Sequence, residues 1–459
     1  MSPLVADATL SHHALRSQLA KLETLLGDID SAVLGRRALV QERAAVQARL
    51  DAIVYPVLTL PPEVVSEIFI YCLCDSRARP SFAVAPLLLC NICSVWRTIA
   101  VLTPALWSSV ELTFKYSLFG TSLIDLLEVW LSRTGSYPLS FSLWYDEYTV
   151  SKRRPEMNLL VQVLMRHSSQ WEDVELRLPD PSEFHQFKGY FPSLKRIVLE
   201  HAVSPSNPPV ISFMNAPGLA SVQLSLGCAL DPIVFPWSQL TTVKCEYLRV
   251  DDCLRLLRQT TRIVDLTVYL KEGGSQIEHP PFSLPSLRSL HLLREECHMD
   301  LLQHLTLPAL ETLSISFENE DITRFLSFLS RSSCPLQQII FDAWPFDQVE
   351  LVKCFEAMPS LQELKLWRPQ YFTDSFLLQL ADPTALLPNL KALELNHVYP
   401  IQFTMPALAS MLSSRWHSPI RLESFRTVLH KGSTETDPES LFRLQLLVAA
   451  GMKIHVDYH

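Results

Sequence analysis

The chain has 459 residues, 48% hydrophobic and 19% charged, with a mean hydropathy of +0.15, a composition that supports sizeable buried cores. Its 11 glycines are few, and neither GxGxxG nor GxxxxGK[ST] occurs, which excludes the glycine-rich phosphate loops of nucleotide-binding folds. A net charge of −9 without a long basic run argues against nucleic acid as a partner, and no apolar run approaches the ~18 residues of a membrane span, so no membrane partner is expected.

The first residues, MSPLVADATLSHH, lack the basic and apolar segments of a secretory signal. An intracellular protein of the cytoplasm or nucleus, with its ten scattered cysteines reduced, is expected. From Ala14 to about Val54 there is no proline, and Leu15, Leu22, Ile29 and Leu50 alternate with Leu19, Leu26, Val33, Val40 and Val54 at heptad spacing, interrupted by Arg36, Arg43 and Gln47. This pattern predicts a long amphipathic helix over residues 1–55 with a coiled-coil seam, ended by Pro56. A homodimer through residues 14–54 is one reading of the seam, and a helix packed back on its own chain, or on a short helix around Gly35, is the other.

Residues 56–112 form the next block. Leu60-Pro61-Pro62-Glu63 opens a short helix whose Val64, Val65, Ile68, Phe69 and Cys72 make a broad apolar face, with Glu63 at the positive end of the helix dipole. A polar segment, Asp75 to Ser81, leads to a second helix predicted from about Ala85 to Leu102, stopped by Thr103-Pro104, and Leu106-Trp107 begins a third element. So small an apolar unit leaves surface for a partner. Cys72, Cys74, Cys90 and Cys93 supply four thiols, but Cys72-x-Cys74 is too short for the usual zinc spacing and both pairs fall on apolar helices, so core cysteines and no metal are expected.

Beyond Leu112 a phrase recurs: FPSLKRIVL, APGLASVQL, LPSLRSLHL, LPALETLSI, MPSLQELKL and LPNLKALEL, with weaker copies between. The first Leu or Ile of each copy falls at 194, 219, 240, 263, 287, 310, 336, 361, 390 and 422. A period near 25 with an L-x-x-L-x-L core predicts a leucine-rich repeat α/β solenoid over residues 113–459. Strands should line its concave face, and helical segments such as Cys253–Leu257, Ile322–Leu329 and Leu351–Phe355 its convex side. Leu139–Leu143 and Trp171–Leu176 read as degenerate first repeats, and a helix from Glu439 to Ala450 with a strand from Lys453 to Asp457 as the end cap.

Within residues 60–112, Leu60-Pro61-x-Glu63, Ile68-Phe69, Cys93-x-x-Trp96-Arg97 and Pro104-x-Leu106-Trp107 together resemble the F-box motif as found in large fungal F-box families, and the phrases after it resemble the leucine-rich repeats of F-box proteins. The resemblance implies a three-helix F-box followed by a horseshoe-shaped solenoid. It also implies docking onto a Skp-type adaptor, and through it cullin, of an SCF-type ubiquitin ligase, with Leu60, Pro61, Glu63, Ile68, Phe69, Trp96, Leu106 and Trp107 lining or supporting the interface. The repeats differ from the commonest pattern in lacking an asparagine after each strand.

No HExxH or GxSxG is present, no cofactor is expected, and Glu295-Glu296-Cys297-His298-x-Asp300 sits between repeats, where a solvated turn is expected. Asp251-Asp252 reads as a helix N-cap with dipole complementarity. A non-catalytic protein that binds an unknown target protein is the expectation. Outward positions by the repeat register are Arg196, Glu200, Gln223, Lys244, Glu246, Tyr269, His291, Gln338, Asp342, Glu363, Lys365, Trp367, Glu394 and Arg426. Among these Tyr269, His291 and Trp367, with Arg368 beside it and Tyr371 and Phe372 nearby, are the candidate target contacts, because exposed aromatic and Arg side chains anchor interfaces.

Overall fold

A computed structural model of the chain describes residues 12–28, 33–52, 59–73, 77–114, 121–145, 154–178, 187–201, 211–225, 233–271, 279–293, 298–317, 322–344, 347–369, 372–398, 403–429 and 437–458. The chain divides into two units, Met1–Cys74 with Ser81–Leu106, and Asp75–Pro80 with Trp107–His459. Among the described residues no helix is long and apolar enough to cross a membrane.

In the first unit the heptad stretch comprises two helices, α1 (His12–Asp28) and α2 (Val33–Asp51), packed on each other. Leu15, Leu22 and Val46 are buried in one cluster with Leu19, Leu39 and Leu50 around it, and Arg43 pairs with Glu23 at 3.3 Å. Pairing of early with late residues makes this an antiparallel hairpin, which corrects the expectation of one long helix. The α1 seam is as expected, but on α2 it runs through Leu39, Val46 and Leu50, leaving Val40 exposed. Helices α3 (Pro62–Tyr71), α4 (Leu87–Ile92) and α5 (Ser94–Val101) follow. The second helix expected from the sequence is thus two, because Cys93 adopts extended backbone (φ −156°, ψ 170°) and its Sγ accepts from the Trp96 amide to cap α5.

The second unit is a solenoid-like α/β array. Its main sheet has fourteen parallel strands in chain order: β1 (Ser109–Phe114), β2 (Leu139–Tyr145), β3 (Trp171–Leu178), β4 (Arg196–His201), β6 (Ser221–Ser225), β8 (Thr242–Leu248), β9 (Asp265–Leu270), β11 (Ser289–Leu293), β13 (Thr312–Ser316), β14 (Gln338–Trp344), β15 (Glu363–Pro369), β16 (Ala392–Val398), β17 (Ser424–Leu429) and β18 (Lys453–Tyr458). Short strands β5 (Ile211–Ser212) and β7 (Ile233–Val234) pair with each other, as do β10 (Phe282–Ser283) and β12 (Leu305–Thr306). The intervening helices are α6 (Thr121–Ser132), α7 (Arg154–Met165), α8 (Val250–Gln259), α9 (His298–Leu302), α10 (Ile322–Ser332), α11 (Gln348–Glu356), α12 (Asp374–Ala381), α13 (Met405–Trp416) and α14 (Pro438–Ala449).

The repeated phrase explains the sheet. Each of the ten strands from β4 to β17 starts two residues after its key Leu or Ile, and that residue and those three and five positions later are all buried. One residue after each key position the backbone links neighbouring repeats. Lys195 donates to Glu172, Ala220 to Lys195, Thr241 to Ala220, Val264 to Thr241, and so on to Lys453 onto Glu423, at 2.7–2.9 Å. An aromatic ladder runs through the early repeats: Phe141, Trp171, Phe191, Phe213 and Phe235 meet successively, edge to face, stacked, tilted and stacked, with centroids 5.0–5.5 Å apart. Side chains on turns and helix ends donate to main-chain carbonyls of the preceding repeat. Gln239 donates to Ala216 and Leu219, Arg331 to Leu302 and Leu305, Ser360 to Leu336, and Asn389 to Pro359.

Candidate docking surfaces

The three-helix module has a small core. Phe69 and Leu106 are buried, and the Phe69 ring meets Trp96 edge to face with centroids 4.9 Å apart. Arg97 Nε donates to the Cys90 carbonyl at 2.7 Å, closing the turn between α4 and α5. Outside this core each helix carries an exposed apolar row. On α3 and its approach these are Leu60, Val64, Ile68 and Tyr71, at spacings of three and four residues. Around α4 they are Val84, Leu88 and Ile92, and along α5 Val95 and Leu102. Leu60 and Ile68 are 38% and 42% exposed, and the helix buries only Val65 and Phe69, so the apolar side chains of this stretch form a contiguous exposed row and are not scattered singly. Pro61 and Glu63 are also exposed.

The eight residues singled out for docking therefore divide. Leu60, Pro61, Glu63 and Ile68 lie at the surface, whereas Phe69, Trp96 and Leu106 build the module from within. Trp107 belongs to the second unit, where it is buried, its carbonyl accepts from Trp130 Nε1 at 2.9 Å, and the Arg133 guanidinium lies 4.4 Å from its ring centroid. Val64, Leu88, Ile92 and Val95 were not distinguishable from core by spacing alone. Of the four thiols Cys90 is buried, Cys93 caps α5, and Cys72 is exposed, contrary to a core role; Cys74 lies outside the described residues. The hairpin seam of residues 14–54 is taken up within the chain, so a homodimer there would need another face.

The uncovered face of the long sheet is the second surface. Its first strands carry a charged belt. Arg77 reaches both Asp173 (3.0 Å) and Glu175 (2.7 Å), Arg196 meets Asp173 (2.8 Å), and Arg177 stands 5.5 Å from the Trp144 ring centroid and 3.9 Å from Glu200. Half-burial holds the Glu200 carboxyl above the usual range; Arg177 opposes this, while Glu175 and Glu246 add to it. The polar segment Asp75 to Ser81 supplies Arg77 and also Arg79, which pairs with Glu111 at 3.1 Å. Later strands carry the candidate target contacts. Tyr269 lies 6.0 Å from Lys244 Nζ, and His291 Nε2 is 3.0 Å from Ser289 Oγ. Trp367 is 39% exposed, and Arg368 after it is exposed with φ +53°, a left-handed backbone unusual for a side chain of that size. Tyr269 on β9 and Trp367 on β15 are four strands apart, about 19 Å at roughly 4.8 Å per strand. Phe372 is not part of this surface: it is buried against Phe376, with centroids 4.7 Å apart. Tyr371 lies outside the described residues.

Elsewhere several ionisable groups pair within the fold. Arg249 occupies the N-cap of α8 without a side-chain bond, so Asp251 and Asp252 sit in the first turn and do not cap it. Asp251 meets His279 Nε2 at 3.0 Å and Asp252 pairs with Arg255. Of the Glu295–Asp300 cluster, His298 is buried with Nδ1 2.9 Å from the Ser316 carbonyl, Asp300 pairs with Arg324 at 2.8 Å, and Glu295 to Cys297 lie outside the described residues. Burial raises the thiols of Cys245, Cys253 and Cys354, that of Cys253 to about 12, as expected of packing residues. Among the described residues no group of three metal-ligating side chains converges. In comparison with known proteins, the chain matches no family model and no curated protein.

Proposed function

We propose that the chain is the target-recognition subunit of an SCF-type ubiquitin ligase. Residues 60–106 dock a Skp-type adaptor, and the uncovered sheet face holds a target protein. The observation that carries this reading is the exposed apolar row of Leu60, just before α3, and Val64 and Ile68 on it, within the segment whose residues resemble the F-box. Among the described residues this row stays exposed, and burying it on an adaptor would gain roughly 25 cal/mol per Å² of apolar surface. The protein then performs no bond chemistry. Holding a target near a ubiquitin-charged enzyme raises the effective concentration of its lysines. Co-purification of a Skp-type adaptor with the full chain, lost in the Leu60→Ala/Pro61→Ala double variant, is the expected outcome; an adaptor retained equally by the variant removes this docking mode.

A further inference from the structure

The two edges of the long sheet differ. At β1 the Glu111 amide donates to the Ala78 carbonyl at 2.8 Å, so a segment of chain covers that edge. At β18 no described strand lies beyond. The Lys453 amide donates to the Glu423 carbonyl, so the main-chain groups of Lys453, His455 and Asp457 turn towards β17. Those of Ile454 and Val456, by strand alternation, point out to the open side. Next to this edge α14 packs on α13 and β18, and it leaves Leu441, Phe442, Leu446 and Val448 exposed at 39–59%.

An open edge accepts another strand, and the side chains of β18 specify which. Lys453, His455 and Asp457 are exposed on one face, and Ile454 and Val456 are half-buried on the other. Let a second β18 run antiparallel about a two-fold axis through His455. Ile454 then stands opposite Val456 of the other copy, on both sides of the axis, and these are the residues whose N–H and C=O are open, so both pairs exchange two hydrogen bonds. Lys453 falls opposite Asp457 twice, at the non-hydrogen-bonded positions where side chains approach closest. Asp457 already meets Arg426 at 3.4 Å, but both are more than half exposed and such a pair holds its partners weakly. The same axis, normal to the sheet, brings the two α14 helices to one side.

We propose that this C-terminal end is a self-association surface, through which two chains join by antiparallel pairing of β18 and apposition of the exposed α14 residues in an isologous dimer. The interface is independent of the adaptor-docking reading. Sedimentation equilibrium of the full chain should show mass rising with concentration from 52.2 kDa towards twice that value. Lys453→Asp should weaken the dimer about tenfold or more. The swap Lys453→Asp/Asp457→Lys should restore it. Val456→Pro, which removes an outward amide and leaves the bonds to β17, should abolish it with an unchanged circular dichroism spectrum. A mass of 52.2 kDa at every concentration, a dimer indifferent to Lys453→Asp, or a swap that fails to restore association overturns the proposal.

Discussion

Replacing Arg415 with methionine separates two opposing effects at the most deeply buried cation among the described residues. Its side chain is fully buried, with Nε donating to the Leu380 carbonyl at 2.5 Å, one terminal nitrogen to Leu387 at 2.8 Å and the other to Leu386. Burial pushes the guanidinium down to about 10, so it is charged at neutral pH. Methionine keeps much of the volume and relieves the desolvation of a cation, which favours the variant. Against this, the Leu387 carbonyl still accepts from the Leu390 amide, but those of Leu380 and Leu386 lose the guanidinium, at about 1–3 kcal/mol each. Two stranded carbonyls outweigh the recovered desolvation, and a net loss of about 2–4 kcal/mol is expected. Urea unfolding followed by circular dichroism should show a lower midpoint with little change in slope. A midpoint equal to or above that of the parent chain would refute the reasoning, because desolvation would then dominate.

Other outcomes follow from the same structure. Phe213→Ala, which cuts the aromatic ladder between Phe191 and Phe235, should cost about 3–5 kcal/mol in the same assay; a loss under about 1 kcal/mol would mean the ladder collapses around the gap. His298 is held below its usual 6.5 chiefly by burial, partly offset by the Ser316 and Leu293 carbonyls. The unfolded chain therefore takes up a proton first as pH falls below 6.5, and stability, complete above that value, declines until the folded-state pKa is reached. His298→Asn should flatten that decline, and parallel pH profiles for the two proteins would exclude His298 as its source. Asp347 and Glu350 form a reciprocal capping box on α11, with bonds of 2.9 and 3.0 Å. Asp347→Ala should cost about 1 kcal/mol, read from thermal unfolding, and Asp347→Asn much less.

The repeats were legible because each key Leu or Ile, and the positions three and five after it, enter a common core and are apolar in every copy but the last, where Thr427 takes the final place; Leu361, Leu364 and Leu366 illustrate the rule. Strand β1 was not legible, since Ser109 to Leu112 continued an apolar stretch already assigned to the helical module. The break at Cys93 was hidden for a similar reason: Leu88 to Ile99 is apolar on both sides of it, and only the extended backbone at Cys93 divides the helices. Heptad spacing gave the α1 seam but did not choose between a seam shared with a second chain and one folded back on its own, because periodicity reports which face is apolar and not what covers it. At the candidate site, spacing identified an apolar α3 but could not separate the inward Phe69 from the outward Ile68 one residue away. The roles of Arg77 and Arg415 were not legible, because their partners lie about a hundred and about thirty residues away in sequence, beyond the reach of any local pattern.

The central claim is that the exposed row on α3 is a docking face for a Skp-type adaptor, and calorimetric titration of the adaptor into the full chain at two or more temperatures tests it most directly. Stoichiometric binding with a negative heat-capacity change, the mark of apolar burial, is expected. Ile68→Asp should abolish it while leaving the folded spectrum intact, because Ile68 is exposed. Absence of binding, or binding that survives Ile68→Asp unchanged, would contradict the account.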